Sequence, residues 1–348
     1  MQLKFINLKD MPEPTMRILK FSFCFALIFI TSTAHAQGGF KKAKYAGEFL
    51  NLGAGGRGLG MGGAYVALAR DVSATYWNPA GLVNIEYPQI MLMHAQQFEG
   101  VVKYDFGSFG MPFGANRSLG ISIIRLGVDD IKRTELENPD AKLGPTNRPI
   151  VAGIFSDAEY ALSLTYAVKR SNTLSFGGNI KILHKALGDN SAWGLGFDLA
   201  ALFNPVGNLQ VGLNLQDVTN TILAWDTGRR ELIVPTLKAG FAYPMGFPMI
   251  GGYMAPALDF EIRFEGRDFA SQLAAGPISL DSHLGWEYQR EAVAFRFGSD
   301  VGNLAVGAGL NLPKLQIDYA FLSHNDLGAS HRISARLAIE ELKYRRPR

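Results

Sequence analysis

The sequence is poor in cysteine and in uninterrupted apolar runs, and both shortages restrict the fold. Its single cysteine is Cys24, so disulfide bonds contribute nothing to the rest of the chain. Residues 239–258 carry no charge, but Pro244, Pro248 and Pro256 break this stretch. We therefore expect no membrane-spanning helix there, only strands and turns.

The first 36 residues have the pattern of a secretory signal peptide. A basic start is followed by an apolar run at 21–30 and by a small-x-small exit at 34–36. Ten apolar residues are too few to cross a bilayer. We predict a signal peptide over 1–36, with cleavage between Ala36 and Gln37.

An excess of charge of one sign is also missing. Without the predicted signal peptide, the chain keeps 30 basic and 29 acidic residues. Binding to phosphate backbones needs a concentrated basic patch, so we expect no nucleic-acid partner.

What the sequence has is alternation of apolar and polar residues, in segments of about ten residues separated by turns. Leu258, Phe260, Ile262 and Phe264 alternate with charged residues, for example, and a helix would not keep these on separate faces. Fourteen such segments are predicted, and an even number lets a barrel close with both ends on one side. The predicted strands are 89–96, 102–112, 118–126, 158–168, 174–186, 192–204, 208–216, 235–243, 253–264, 282–288, 292–299, 303–312, 314–322 and 331–340.

The predicted connections alternate in length, as in bacterial outer-membrane barrels with short periplasmic turns and longer outer loops. Long loops are predicted at 127–157, 217–234 and 265–281. A soluble β-sandwich would show the same alternation of faces, but its loops would have no reason to follow this parity. We therefore predict an all-β fold, a 14-stranded antiparallel transmembrane β-barrel integral to the bacterial outer membrane, with outer-membrane lipids around it.

A glycine-rich segment that does not alternate precedes the first predicted strand. Gly58, Gly60 and Gly63 fit the spacing G-x-G-x-x-G, but no βαβ unit follows, so we expect close backbone packing and no nucleotide. Further on, Asn78 is suited to hydrogen bonding with local backbone, and Gly81 to an unusual backbone dihedral.

The segment from Glu48 to Leu82, which contains GLGMGGAYVALARDVSATYWNPAGL, resembles the amino-terminal signature of PorV/PorQ family outer-membrane proteins, relatives of the FadL transporters. The similarity extends to the motifs SIIRLGVDDI, NLQDVTN, AWDTG and DYAFLSHNDLG further along the chain. The resemblance implies a 14-stranded barrel whose amino-terminal segment forms a small plug in the lumen. The signature residues expected in that plug are Gly60, Gly62, Gly63, Asp71, Asn78, Pro79, Ala80 and Gly81.

The resulting domain plan is a signal peptide at 1–36, a plug at 37–88, the barrel at 89–342 and a basic tail at 343–348. The tail is a departure, because many outer-membrane barrels end on an aromatic residue at the last strand. A second departure lies before Asn78 and Pro79, where dedicated type IX secretion members have a different pattern.

Charged residues on the polar face of the predicted strands are expected to line the lumen, as ion pairs or as a selective path. They are Lys181, Asp198, Glu261, Arg263, Arg296, Asp318 and Arg336. In the loop predicted at 127–157, two features stand out. Asp129 and Asp130 supply too few ligands for a cation. The apolar residues Ile150, Val151, Ile154 and Phe155 form a patch for a hydrophobic ligand or a protein partner.

The sequence offers no catalytic, metal or cofactor motif. Five histidines follow the predicted signal peptide, but none is accompanied by a recognisable nucleophile and third member. We predict a protein that is not an enzyme and needs no cofactor. The leading hypothesis is a type IX secretion-like factor that docks envelope proteins, and the alternative is a FadL-like channel for uptake or export of hydrophobic small molecules.

Overall fold

The computed structural model describes residues 40–41, 46–97, 100–247, 251–267, 270–324 and 328–347. Fourteen strands carry the fold, because each pairs with the next one along the chain. Their bounds are β1 Gln89–Gln97, β2 Val102–Pro112, β3 Arg117–Leu136, β4 Pro149–Lys169, β5 Leu174–Leu187, β6 Asn190–Phe203, β7 Gln210–Gln216, β8 Thr236–Ala242, β9 Tyr253–Arg263, β10 Ile278–Arg290, β11 Val293–Asp300, β12 Asn303–Asn311, β13 Leu315–His324 and β14 Gly328–Ala338.

The sheet closes on itself through its first and last strands. β14 pairs antiparallel with β1, from Ala338 opposite Gln89 to His331 opposite Gln96. All the pairings between consecutive strands are antiparallel as well. The predicted 14-stranded antiparallel barrel is thus confirmed.

The exterior of the barrel is apolar, as alternation predicts. Large hydrophobic side chains point outward from strands all around the sheet, including Leu92, Leu164, Leu199, Phe295 and Ile333. A closed barrel leaves no backbone group unpaired at an edge, so such a surface is stable in lipid. The protein is an integral outer-membrane β-barrel. No helix among the described residues has the length and apolar character needed to cross a membrane.

The amino-terminal segment lies inside the barrel. It contains the 3₁₀ helix Glu48–Asn51, helix α1 Gly56–Gly60, helix α2 Ala74–Trp77 and the 3₁₀ helix Pro79–Asn84. We call residues 46–85 the plug. Nearly all of its residues from 53 onward are buried, and its side chains form the main hydrophobic core with the inner wall.

Glycines on the inner wall explain how an irregular backbone fits so closely. A Cβ added to Gly298 would lie 2.4 Å from the Met61 carbonyl carbon, and one at Gly212 would lie 2.5 Å from the Val66 oxygen. At these two positions the wall needs glycine, because plug backbone touches strand backbone. In an alternating strand, the sequence pattern does not show which glycines contact the plug.

The loop predicted at 127–157 is too long, because both flanking strands extend into it. β3 continues to Leu136 and β4 already starts at Pro149, so the two strands form one long hairpin. Their pairing shifts register between Val128 and Ile131 and between Arg133 and Thr134. Asp130 adopts a φ of 59° at the first shift. This irregularity hides the alternation, which is why the sequence pattern ended the third strand too early.

The predicted loop at 217–234 is also partly sheet. Strands Thr221–Trp225 and Arg230–Ile233 pair with each other, and the first also pairs with Ala192–Leu195 of β6. β7 therefore resumes after a four-residue interruption. Further short strands are Phe40–Lys41, Met245–Gly246 and Leu273–Ala275, and the 3₁₀ helix Leu342–Tyr344 follows β14.

Replacing Gly298 by Ala should destabilise the barrel by about 1–3 kcal/mol, since the added methyl overpacks the contact with the plug. The measurement is the temperature at which the folded, fast-migrating band is lost in heat-modifiability gels. Gly153→Ala is the matched control, because a Cβ at Gly153 in β4 meets nothing within 4 Å. Equal transitions in both variants would show that wall glycines do not set the plug contact.

Candidate functional site: the plugged lumen

The glycines of the signature bring the plug against the wall on one side. A Cβ on Gly60 would lie 2.9 Å from the Cα of Gly307, and one on Gly62 would lie 2.6 Å from the backbone of Ser299. Gly62 and Gly63 also adopt left-handed φ values of 62° and 81°. At this point of the chain, therefore, glycine serves both backbone conformation and close approach.

Asn78 ties the plug to itself and to the barrel. Its side-chain amide nitrogen donates to the carbonyls of Val66, at 2.9 Å, and Ala201, at 3.2 Å. Its oxygen accepts from the backbone N–H of Ala80 and caps the 3₁₀ helix that starts at Pro79. Asn78 is fully buried, so each of these bonds satisfies a group that has no access to water.

The expectation of an unusual dihedral at Gly81 is wrong. Its φ lies outside the left-handed region, and the reason for glycine is space. A Cβ there would lie 1.8 Å from the Ala69 carbonyl oxygen. Ala80 is buried beside it and packs against the wall residues Ala200 and Leu202.

Asp71 is a buried anion of the plug. It accepts hydrogen bonds from the Ser73 backbone N–H, at 2.8 Å, and from the Ser73 hydroxyl, and Arg336 Nε lies 3.7 Å away. Burial alone would raise the pKa of Asp71, but the charges of Arg336 and Arg57 and the bonds from Ser73 outweigh it and lower the pKa. Asp71 therefore remains ionised and helps to fix the turn before α2.

All seven charges expected on the inner face point into the lumen, and all are paired. Lys181 contacts Asp198 and Asp217, both at 2.8 Å. Arg263 bridges Glu261, at 2.5 Å, and Glu48 of the plug, at 2.8 Å. These contacts have the geometry of structural ion pairing.

The strongest link between plug and wall is centred on Glu287 of β10. Its carboxylate accepts from Arg57 of α1, at 2.7 and 2.8 Å, and from Arg296 of β11, at 2.6 Å. Arg296 in turn contacts Asp318 at 2.8 Å. The side chains of Glu287 and Arg296 are fully buried and that of Arg57 is largely buried, so Glu287 offsets positive charge that has little or no access to water.

The sequence interpretation missed Glu287, Arg57 and Lys238, which pairs with Glu261 at 2.9 Å. Glu287 and Lys238 occupy polar-face positions in predicted strands, so the alternation rule that identified the other wall charges would have identified them too. Arg57 lies in the plug, where no periodicity marks an inward side chain.

Part of the inner wall, on β1, β2 and β3, is apolar. Met93, Tyr104, Phe106 and Ile124 point inward there and join the hydrophobic core. The interior of a water-filled barrel is polar, so this surface departs from a simple porin.

Aromatic rings of the plug cover that apolar wall. The Tyr76 and Trp77 rings lie 5.0 Å apart in an edge-to-face arrangement, and Phe106 lies 6.3 Å from Tyr76. Trp77 Nε1 donates to the Ala54 carbonyl at 2.7 Å. The lumen is therefore divided into an ionic side, which anchors α1, and an aromatic side, which packs against α2.

Between plug and wall there is little free space at this level. The cavity bordered by Leu59, Trp77, Glu261 and His283 measures about 40 Å³, which holds at most a few water molecules. A larger molecule cannot cross there while the plug keeps this position.

The apolar patch lies on β4 in the long hairpin, and no part of it is in a loop. Ile150, Val151 and Ile154 are 49, 54 and 65% exposed, whereas Phe155 is half-buried under the Arg133 guanidinium, 5.8 Å from its ring centre. On the other strand, Asp129 pairs with Lys103 at 2.9 Å. Among the described residues, no group of three or more potential metal ligands is present.

Two further predictions concern the chain ends. The signal peptide and the cleavage point at Ala36 and Gln37 lie outside the described residues. The basic tail packs on the barrel through Arg346, whose guanidinium donates to the carbonyls of Ile85, at 3.1 Å, and Arg117, at 2.9 Å, and to the Ser118 hydroxyl, at 2.6 Å.

No family model matches the sequence, and no curated protein matches it. Solved structures do share the fold. TbuX, a toluene transporter of Ralstonia pickettii, superposes with a TM-score of 0.54 at 13% identity, covering 82% of this chain and 97% of its own. A FadL homologue of Pseudomonas aeruginosa gives 0.53 at 12% identity, covering 82% and 98%. TodX, a toluene transporter of Pseudomonas putida, gives 0.53 at 11%, covering 82% and 96%.

These similarities establish a FadL-type barrel fold. Membership of the PorV/PorQ group stays a prediction from the sequence motifs.

Replacing Glu287 by Gln should destabilise the plugged barrel by about 3–5 kcal/mol, since Arg57 and Arg296 would lose their shared anion in a buried site. Urea unfolding in detergent, followed by tryptophan fluorescence, measures this. Asp129→Asn is the matched control, because it breaks an exposed pair worth less than about 1 kcal/mol. A small effect of Glu287→Gln would mean that α1 is anchored by other contacts.

Proposed function

We propose that this protein is an outer-membrane channel for small hydrophobic molecules, closed in the present state by its plug. The observation that carries the proposal is the apolar side of the lumen, where Tyr104, Phe106 and Ile124 face inward. Such side chains offer apolar molecules a favourable surface and offer ions and sugars none.

The fold comparison supports the same function. Two of the proteins with this barrel are toluene transporters by name, and their chains are covered almost completely. At identities of 11–13% the common fold does not carry a substrate over. The lumen chemistry of this chain is what favours a hydrophobic cargo.

Passage along the β1–β3 wall requires movement of the plug, because the Thr75 hydroxyl lies 3.0 Å from that of Ser108 and the Tyr76 ring packs on Phe106. The contacts on the aromatic side are apolar and edge-to-face, so a hydrophobic molecule can replace them with similar contacts of its own. The ion pairs on the other side have no such substitute. We infer that cargo passes between α2 and the β1–β3 wall.

A disulfide between plug and wall should therefore stop transport. The hydroxyls of Thr75 in α2 and Ser108 in β2 are 3.0 Å apart, so Thr75→Cys with Ser108→Cys places two sulfurs within bonding reach. Proteoliposomes carrying the oxidised double variant should take up radiolabelled toluene at the rate of protein-free liposomes. Reduction should restore the wild-type rate.

Ser108→Cys alone is the control and should transport under both conditions. Undiminished uptake through the oxidised double variant would show that the plug need not move beside β2. Wild-type uptake equal to that of protein-free liposomes would contradict the proposed channel function itself.

A second function, docking of envelope proteins, is favoured by one observation. The long hairpin of β3 and β4 exposes Ile150, Val151 and Ile154 together, where solvent would favour polar side chains. The resemblance to the PorV/PorQ group suggests the same role, a secretion or export factor of the type IX kind. The partner would be another envelope protein that covers this patch.

Changing Ile150, Val151 and Ile154 together to Ser should then remove a stoichiometric envelope protein from barrels purified in mild detergent, as read by quantitative mass spectrometry. Leu273→Ser is the control, since Leu273 is 67% exposed on a different outer segment. Identical co-purification with both variants would argue against docking at the hairpin.

A further inference from the structure

A second cavity opens at the outer mouth of the barrel. It measures about 200 Å³ and lies where β1, β11, β12, β13 and β14 have their outer ends, above the plug residues Asn51 and Leu52. Among the residues lining it are Gln97, Asn303, Ser330 and Arg332. We call this cavity the mouth pocket.

Arg332 is the exceptional residue of the mouth pocket. Its side chain points inward from β14 and is only 5% exposed. One terminal nitrogen, Nη1, donates to the Leu52 carbonyl, whereas Nε has no hydrogen-bond partner within the described part of the chain. No ion pair of the described residues includes Arg332, although every charge expected on the inner wall from the sequence is paired.

Two more donors lie nearby without partners. Gln97 Nε2 and the Tyr104 hydroxyl are buried and find no acceptor among the described residues. The strand register explains the cluster, because Ala95 of β1 lies opposite both Arg332 of β14 and Tyr104 of β2. Gln97 is the next inward residue along β1.

Unpartnered buried donors are costly, so such a cluster is suited to a ligand rich in acceptors. In arginine, Nε and Nη2 form the edge that pairs with carboxylates through two parallel hydrogen bonds, and Nη1 is the nitrogen already used by Leu52. The same edge also pairs with phosphates, but Asp300 borders the pocket and disfavours a doubly charged anion, so a singly charged carboxylate suits the pocket better.

Size and surroundings restrict the ligand further. The volume is below the roughly 300–1,000 Å³ of pockets for drug-sized ligands, so the ligand is compact. Leu52 and Leu322 line the pocket beside the polar Asn51, Asn303 and Ser330, so the ligand can carry a short apolar group next to its charged end. Asp300 also borders the pocket, and its carboxylate lies 3.0 Å from His283 Nδ1, which gives it a partner apart from Arg332.

We propose that the mouth pocket binds a small organic carboxylate through Arg332 and Gln97. Binding at this place does not depend on passage through the barrel, so the proposal is independent of the channel function. The proposal gives a role to Arg332, a buried cation that forms no ion pair with the described residues of plug and wall.

Isothermal titration of the full-length protein in detergent tests this with benzoate and with benzamide, its neutral analogue of the same shape. Benzoate should bind at least tenfold more tightly than benzamide and than inorganic phosphate. Arg332→Gln should weaken benzoate binding at least tenfold. Arg148→Gln is the matched control and should bind as wild type, since Arg148 is exposed in the hairpin between β3 and β4.

A second variant keeps the test decisive if Arg332→Gln does not fold. Gln97→Glu provides an internal carboxylate in the same pocket, and it should abolish benzoate binding while raising the thermal midpoint. Equal affinity for benzoate and benzamide would overturn the proposal, as would wild-type benzoate affinity in Gln97→Glu. Preference for phosphate over benzoate would also overturn it, since the pocket would then select a tetrahedral anion.

Discussion

The plug must satisfy its backbone and its charges without free access to water, and most features of the lumen follow from this constraint. Irregular backbone leaves amides and carbonyls that no helix or strand pairs. The barrel provides partners for them, such as Asp259 of β9, whose carboxylate accepts from the N–H groups of both Tyr65 and Val66 at 2.8 Å. Gly212 and Gly298 allow the approach, and Asn78 supplies polar atoms from the plug side. Plug and wall therefore form one structural unit.

Much of the barrel could be predicted because one physical rule governs it. Side chains alternate between lipid and lumen, so a charge such as Asp318 between Ile317 and Tyr319 must face inward. The rule fails where the backbone is irregular, as at Asp130 and in the interruption after β7. It also says nothing about partners. Neither the pairing of Arg57 with Glu287 nor the isolation of Arg332 follows from spacing, since both depend on how the plug is placed.

The division of the lumen connects the two proposals. Ion pairs hold α1 on the β10–β13 side, and they would be costly to break one at a time. Aromatic contacts hold α2 on the β1–β3 side, where apolar molecules can compete. The mouth pocket lies at the outer ends of the strands and carries hydrogen-bond donors. A molecule arriving from outside would thus meet hydrogen-bond donors first and apolar rings afterwards. This order of surfaces favours molecules with one polar end, and the outer hairpin does not take part in it.

The contacts of Arg346 restrict the order in which the barrel and the plug can assemble. The guanidinium joins the end of the plug, at Ile85, to the turn between β2 and β3, at Arg117 and Ser118. β14, which closes the sheet against β1, precedes it by only a few residues. Both contacts join parts of the chain that are distant in sequence. The early strands therefore cannot enclose the plug by themselves, and the barrel is sealed only when β14 pairs with β1.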